Sequence, residues 1–280
     1  MASTWDLPAN LDRAERLVRQ AAGQGAQVVL MGELFATPHF CQDQLASFFD
    51  LARPFQSHPV LLRFADLARE LGVVLPVSFF ERSGPTFYNS VTVIDADGAM
   101  LGIYRESHIP DGPGYAGKFY FSPGDTGFQA WDTAVGRIGV GIGWDQWFPE
   151  SARAMALKGA EILLYPTAMS ATAPESVPDR LAHWRRVLQG QAAANMMPVV
   201  AANRIGLEEG REGTSRSFCG GSFVAGPWGE ILAEADDASE AVILAKLDLE
   251  TWHIQRSGWG LFRDRRPDLY RSLLSLDGRE

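Results

Sequence analysis

Three times along this chain an amphipathic helical pattern is followed within a few residues by a short apolar run, and that alternation most restricts the folds open to it. Asn10–Ala22 places Leu11, Ala14, Leu17, Val18 and Ala21 on one helical face, and Gln27–Met31 (QVVLM) then reads as a buried strand. The same order recurs as helix Pro59–Glu70 before strand Val73–Phe80, and as helix Pro149–Lys158 before strand Ile162–Tyr165. A helix that buries one face needs a sheet to bury it against, so the pattern implies a layered α/β domain. Further strands are predicted over Ser90–Ile94, Met100–Tyr104, Val199–Asn203, Ser222–Ala225, Glu230–Ala235 and Ala241–Leu247. The strings DADGA and GPWGE supply hairpin turns between some of them, which argues against a purely parallel, doubly wound sheet.

Composition narrows the function. With 280 residues, 46% hydrophobic and 21% charged, the chain is long enough for a substantial core and is expected to form a single domain over 1–280. A formal net charge of −9 offers no excess of cations for a phosphate backbone, so nucleic acid is not an expected partner. No apolar run approaches the ~20 residues that cross a bilayer, and the first residues show no basic-then-apolar leader, so no membrane partner is expected and a cytoplasmic location is. Two cysteines, Cys41 and Cys219, are too few for a disulfide framework or a zinc cluster, and no metal site is expected. No GxGxxG opens a helix and no GxxxxGK[ST] occurs, which disfavours nucleotide binding through such loops.

Within Gly136–Glu150 (GRIGVGIGWDQWFPE) a short apolar strand runs into an abrupt turn at Gly143, Trp144 and Asp145 and then into a helix start. Many α/β hydrolytic enzymes place a nucleophile at such a turn. Here the position is glycine. The Gly- and Pro-rich stretch 109–127 is too long and too aromatic for a simple linker and reads as a loop that lines a site.

Four segments, GELFATPHFCQ (32–42), YRESHIPDGPGYAGKFYFSPGDTGF (104–128), GIGWDQWFPESARAMALKGAEILLYPTA (141–168) and RSGWGLFRDRRPDLY (256–270), resemble the nitrilase superfamily of carbon–nitrogen hydrolases. Within it the resemblance is greatest to the N-carbamoylputrescine amidohydrolases and runs from Trp5 to Gly278. It implies a four-layer αββα sandwich of the nitrilase type, in a homo-oligomer, with no cofactor and a small-molecule ester, amide or amine as ligand. The family opens on a core strand running up to the position of Met1, so its absence predicts either a late start or a sheet lacking an inner strand.

The family hydrolyses amides, nitriles or carbamoyl groups with a cysteine thiolate, a glutamate base, a lysine over the oxyanion and a second glutamate. Carried over by position, the base matches Glu33, whereas Glu106 stands for the lysine, Gly117 for the second glutamate and Gly143 for the cysteine. So selective a loss reads as deliberate rebuilding, and Glu106 would oppose the negative transition state. Gly117 and Gly143 are expected to open room for a substrate, in a pocket that Trp144, Tyr115 and Met169 also line. The chain carries His39 where the family usually has an aromatic, and Cys219 where it usually has tyrosine. The leading expectation is a relocated thiol–imidazole pair, Cys219 as nucleophile and His39 as base, hydrolysing an activated ester, with Glu33 or Glu106 orienting the imidazole. Two alternatives stand beside it: a binding protein that holds a small cationic ligand between Glu33 and Glu106, and a carboxylate base acting on a carbon acid. Cys41, His58, His108, His183 and His253 read as structural or surface residues, and 263–266 as a solvated or interface face.

Overall fold

Helix α1 (Leu7–Gly23) starts where the Asp6 carboxylate accepts from the Ala9 N–H, with Pro8 in its first turn. Helix α2 (Pro59–Leu71) ends on Gly72 in the left-handed conformation. The computed structural model describes residues 1–170 and 179–279, and in it these two helices cover an antiparallel meander of β1 (Leu75–Ser83), β2 (Thr86–Ile94) and β3 (Met100–Arg105). Alternation along β1 explains the layering. Leu75, Val77 and Phe79 join Val18, Leu61 and Phe64 of the helices in one apolar cluster, while Phe80 packs with Phe40, Tyr120 and Phe121 on the other side. The DADGA turn joins β2 to β3 as expected, with Gly98 at φ +84°.

After a small hairpin, β4 (Asp111–Gly112) with β5 (Tyr115–Ala116), and a short helix α3 (Gly117–Tyr120), the chain enters a second sheet. Its strands are β6 (Ala130–Thr133), β7 (Gly136–Val140), β8 (Ile162–Pro166), β9 (Val199–Ala202), β12 (Phe223–Ala225) and β13 (Ile231–Glu234), in the order β13-β12-β9-β8-β7-β6. The hairpin β10 (Ile205–Glu209) with β11 (Ser215–Cys219) stands between β9 and β12 in the chain. Helices α4 (Pro149–Leu157) and α5 (Arg180–Asn195) cover the second sheet, where Trp184 meets Phe223 edge-on at 5.2 Å. The result is a mixed α/β sandwich with helices outside and sheets inside. The chain forms two compact units, Met1–Leu247 and Asp248–Glu280, the second containing helix α6 (Leu249–Trp259).

Two expected strands are not formed. Gln27–Met31 makes one parallel bridge, Val28 to Val74, and is hydrogen-bonded only toward Val74 among the described residues, so no ladder propagates. Ala241–Leu247 has no ladder partner among the described residues, and an alternating pattern without a neighbour does not make a strand. Strands β7, β8 and β9 run parallel, so their carboxyl ends lie together, which is where open α/β sheets place ligands.

Candidate functional site

Three chain segments leave those carboxyl ends. After β7 comes a 3-10 turn, Gly143–Trp147, after β8 the stretch 167–170, and after β9 Asn203 and Arg204. Gln146 pins the first to its neighbours: its Nε2 donates to Gly143 O (2.6 Å), and its Oε1 accepts from Thr167 Oγ1 (3.1 Å) and Trp184 Nε1 (2.5 Å). Asp145, fully buried, accepts from the Ile142 N–H (3.1 Å), the Tyr104 hydroxyl (2.6 Å) and the His108 N–H (3.0 Å), and pairs with His108 Nδ1 at 2.7 Å. The turn is therefore rigid, and Gly143 sits in it at φ +46°.

Glu33 and Glu106 converge on that glycine. A Cβ placed on Gly143 would lie 2.8 Å from Glu106 Oε1 and 2.9 and 3.1 Å from the two oxygens of Glu33, so the carboxyls occupy the space where a side chain would begin. Asn89, on β2, donates from Nδ2 to Glu33 Oε1 (2.7 Å) and to Glu106 Oε2 (2.9 Å), and the Trp144 N–H donates to Glu106 Oε1 (2.9 Å). Asn89 Oδ1 is buried with no partner. Burial pushes Glu33 up to about 7, against the pull of Asn89 and of the Arg204 charge. Burial, with the charge of Glu33 beside it, holds Glu106 well above the usual carboxylate range. Two such groups side by side titrate as a pair, each resisting the loss of its proton.

Arg204 aims Glu33. It is 2% exposed, donates to the carbonyls of Glu33 (2.8 Å), Leu34 (2.7 Å) and Thr37 (2.9 Å), and pairs with buried Glu208 at 2.8 Å. Leu34 takes a left-handed conformation, φ +45°, held between Arg204 and the Ser78 hydroxyl, which accepts its N–H.

The expected Cys219–His39 pair is not assembled. Cys219 follows Phe218 on β11, so their side chains leave opposite faces, and His39 packs on Phe218, ring centres 5.7 Å apart. The thiol donates to Met169 O (3.2 Å) and accepts from Asn203 Nδ2 (3.4 Å), while His39 Nε2 has no partner. Burial raises the Cys219 thiol and, with Arg204 and Arg216 nearby, pushes His39 down to about 3, each away from thiolate and base chemistry. Gly117 opens no room either. Its Cβ direction meets Pro110 O at 2.5 Å. Trp144 takes part through its backbone, and Tyr115 anchors the stretch after β8, donating to Ala168 O (3.2 Å) and accepting from the Ser170 N–H (2.7 Å). Met169 contributes its backbone, which Asn203 binds at both ends. Cys41 is buried in the aromatic cluster. Sequence reasoning missed Asn89, Asp145 as a hub, and Arg204; a polar residue inside or directly after an apolar strand was the available signal.

The carbon–nitrogen hydrolase family model matches residues 1–256. This chain belongs to the carbon–nitrogen hydrolase family. It is 57% identical over 280 residues to an N-carbamoylputrescine amidase of Arabidopsis thaliana, covering 99% of this chain and 94% of that protein. Among solved structures, a carbon–nitrogen hydrolase from Helicobacter pylori superposes with TM-score 0.91 at 39% identity, covering 98% of this chain and 96% of the other. An amidase from Nesterenkonia sp., a Glu-to-Gln mutant showing covalent addition of the acetamide moiety of fluoroacetamide at the active site cysteine, superposes with TM-score 0.78 at 25% identity over 97% of this chain and 92% of its own.

Proposed function

We propose that this chain keeps the pocket of a carbon–nitrogen hydrolase, performs no thiol-based hydrolysis at Gly143, and binds a small molecule carrying a charged nitrogen between Glu33 and Glu106. The observation that carries the reading is an excess of acceptors: two buried carboxyls converge on a position with no side chain, and Asn89, which donates to both, leaves its Oδ1 unpartnered. Arg204, whose charge acts on Glu33, spends its hydrogen bonds on backbone carbonyls and Glu208. A buried carboxylate pair is stabilised by a cation that donates hydrogen bonds to it. The N-carbamoylputrescine amidases are named for a carbamoylated amine, which supports a small nitrogenous ligand. The amidase of Nesterenkonia sp. bonds its ligand at a cysteine, and the resemblance of the WDQWFPE string assigns Gly143 to the corresponding position in this reading.

Calorimetric titration with n-butylamine tests this. Binding that strengthens as pH rises through 7, and is lost in a Glu33→Gln, Glu106→Gln double variant, is expected, because deprotonating Glu33 creates charge that the ammonium meets. Affinity unchanged by the double variant, or ammonia release from N-carbamoylputrescine above a no-enzyme control in protein freed of host amidase, overturns it. The elevated Glu33 also favours a second reading, proton abstraction from a carbon acid by this carboxylate. That activity would rise with pH through about 7 and survive thiol alkylation.

A further inference from the structure

A single side chain ties the two carboxyls together. Asn89 lies on β2 opposite Phe80 of β1 and is 1% exposed. Its amide nitrogen is a double donor, and it bonds Glu33 Oε1 (2.7 Å) and Glu106 Oε2 (2.9 Å). Its backbone carbonyl accepts the Glu106 N–H (2.9 Å), so the same residue grips Glu106 by main chain and side chain. The other end of the amide has no partner: Oδ1 is buried and accepts from nothing. Desolvating an acceptor in this way is unfavourable, and no donor there turns the amide one way or the other. Its orientation is therefore set by the carboxyls, and N–H donors turned toward them favour the charged form of each.

The remaining groups at the pair act on one carboxyl or against both. The Trp144 N–H donates to Glu106, the Ala168 backbone bonds Glu33, and the Arg204 charge favours ionised Glu33. Burial comes first among the causes that oppose ionisation, followed by the charge of Glu33 on Glu106 and by that of Asp145 on both. The Cys41 thiol, raised by burial and then by these carboxyls, adds no charge of its own. We infer that Asn89 is a positioning residue of the site, holding Glu33 and Glu106 side by side and allowing them to carry charge together when a cation arrives. The inference rests on the reading that the pair meets an ammonium. Without the amide the carboxyls keep their protons to higher pH, because the donor that favours the charged form of both is gone, and an ammonium must then displace a proton to bind.

Infrared titration of the full chain tests this without a ligand, the C=O stretch of protonated Glu33 being assigned by difference against the same chain carrying Glu33→Gln. Asn89→Leu keeps the approximate shape and removes the donors, and it should raise the Glu33 midpoint by about one pH unit or more. Asn89→Ala should move it in the same direction. In both variants n-butylamine should bind about tenfold or more weakly at pH 7, the gap narrowing as the pH rises past the new midpoint. A residue that merely packs β2 would lower the melting temperature and leave the midpoint where the parent has it, and that result overturns the inference while n-butylamine binding to the parent keeps the ammonium reading. A raised midpoint in a chain whose parent binds no n-butylamine supports the hold of Asn89 on the pair and removes the ammonium reading. On the unmodified chain, the Nδ2 proton resonances of Asn89 should move as Glu33 ionises through about 7. Resonances that stay fixed through that range overturn the inference even where neither variant folds.

Discussion

Gly143 is fixed twice over, by a left-handed backbone and by the carboxyls that fill its side-chain space. Gly143→Ala should therefore cost about 1–2 kcal/mol in urea unfolding, and a Glu106→Ala background should remove the part of that loss due to Glu106 while the backbone part and the contact with Glu33 persist. Rebuilding the family's second glutamate by Gly117→Glu should also destabilise, because its Cβ meets the Pro110 carbonyl rather than open space. The carboxyl pair gives the molecule an unusual pH dependence. Glu33 titrates near 4.5 when unfolded and about 7 when folded, so the folded state binds its proton more tightly, and the associated stability is lost as pH rises from about 4.5 through 7. His39 works in the opposite sense: its value falls from 6.5 to about 3 on folding, so its contribution is present above 6.5 and lost as the solution is acidified toward 3. Thermal melting of Glu33→Gln against the parent isolates the first effect. The variant should gain on the parent between about pH 4.5 and 7 and level off above, and a constant difference would show that Glu33 titrates normally.

At the scale of elements, the site exists because three parallel strands end together and the turns that follow are tied to one another. The tie with most at stake is Arg204 with Glu208, which links the end of β9 and strand β10 to the segment carrying Glu33 and also holds the backbone N–H groups of Ser3 and His39. Arg204→Met would leave Glu208 buried without its cation and take a donor from three carbonyls, of which Leu34 O keeps the Thr37 N–H. A loss of about 3–5 kcal/mol is expected, with part recovered in an Arg204→Met, Glu208→Leu double variant, because replacing both charges removes the unpaired one. Equal losses in the single and double variants would mean that the freed carbonyls, and not the stranded carboxylate, carry the cost.

The whole molecule adds two features that no single site contains. No helix among the described residues is long and apolar enough to cross a membrane. The unit Asp248–Glu280 buries no side chain of α6 and leaves Ile254, Trp259, Leu273 and Leu274 exposed. Apolar surface of that extent is what association covers, and we propose that it serves the homo-oligomer the family resemblance implies. Sedimentation velocity should show a species larger than 30.7 kDa that shifts toward monomer in an Ile254→Glu, Trp259→Glu variant. A monomeric parent would rule the proposal out.

The sequence by itself determined the parts whose cause is local. Helices α1, α2 and α4 follow from apolar spacing at 3.6 residues, the two hairpins from their glycine turns, and the abrupt bend at Gly143 from a glycine at the end of a strand. The motif strings placed Glu33, Glu106 and Gly143 together before any coordinates did. Tertiary structure decided what depends on a neighbour distant in sequence. Gln27–Met31 and Ala241–Leu247 have strand-like residues, but a ladder needs a partner on the correct side, and the pattern of one segment does not contain it. Cys219 and His39 looked like a reactive pair as residue types; the pleat of β11 turned Phe218 toward the imidazole and the thiol away from it. Asn89 and Arg204 are ordinary polar residues in the sequence, and they matter because folding buries charge beside them, where a hydrogen bond or a counter-ion is worth far more than it is in water.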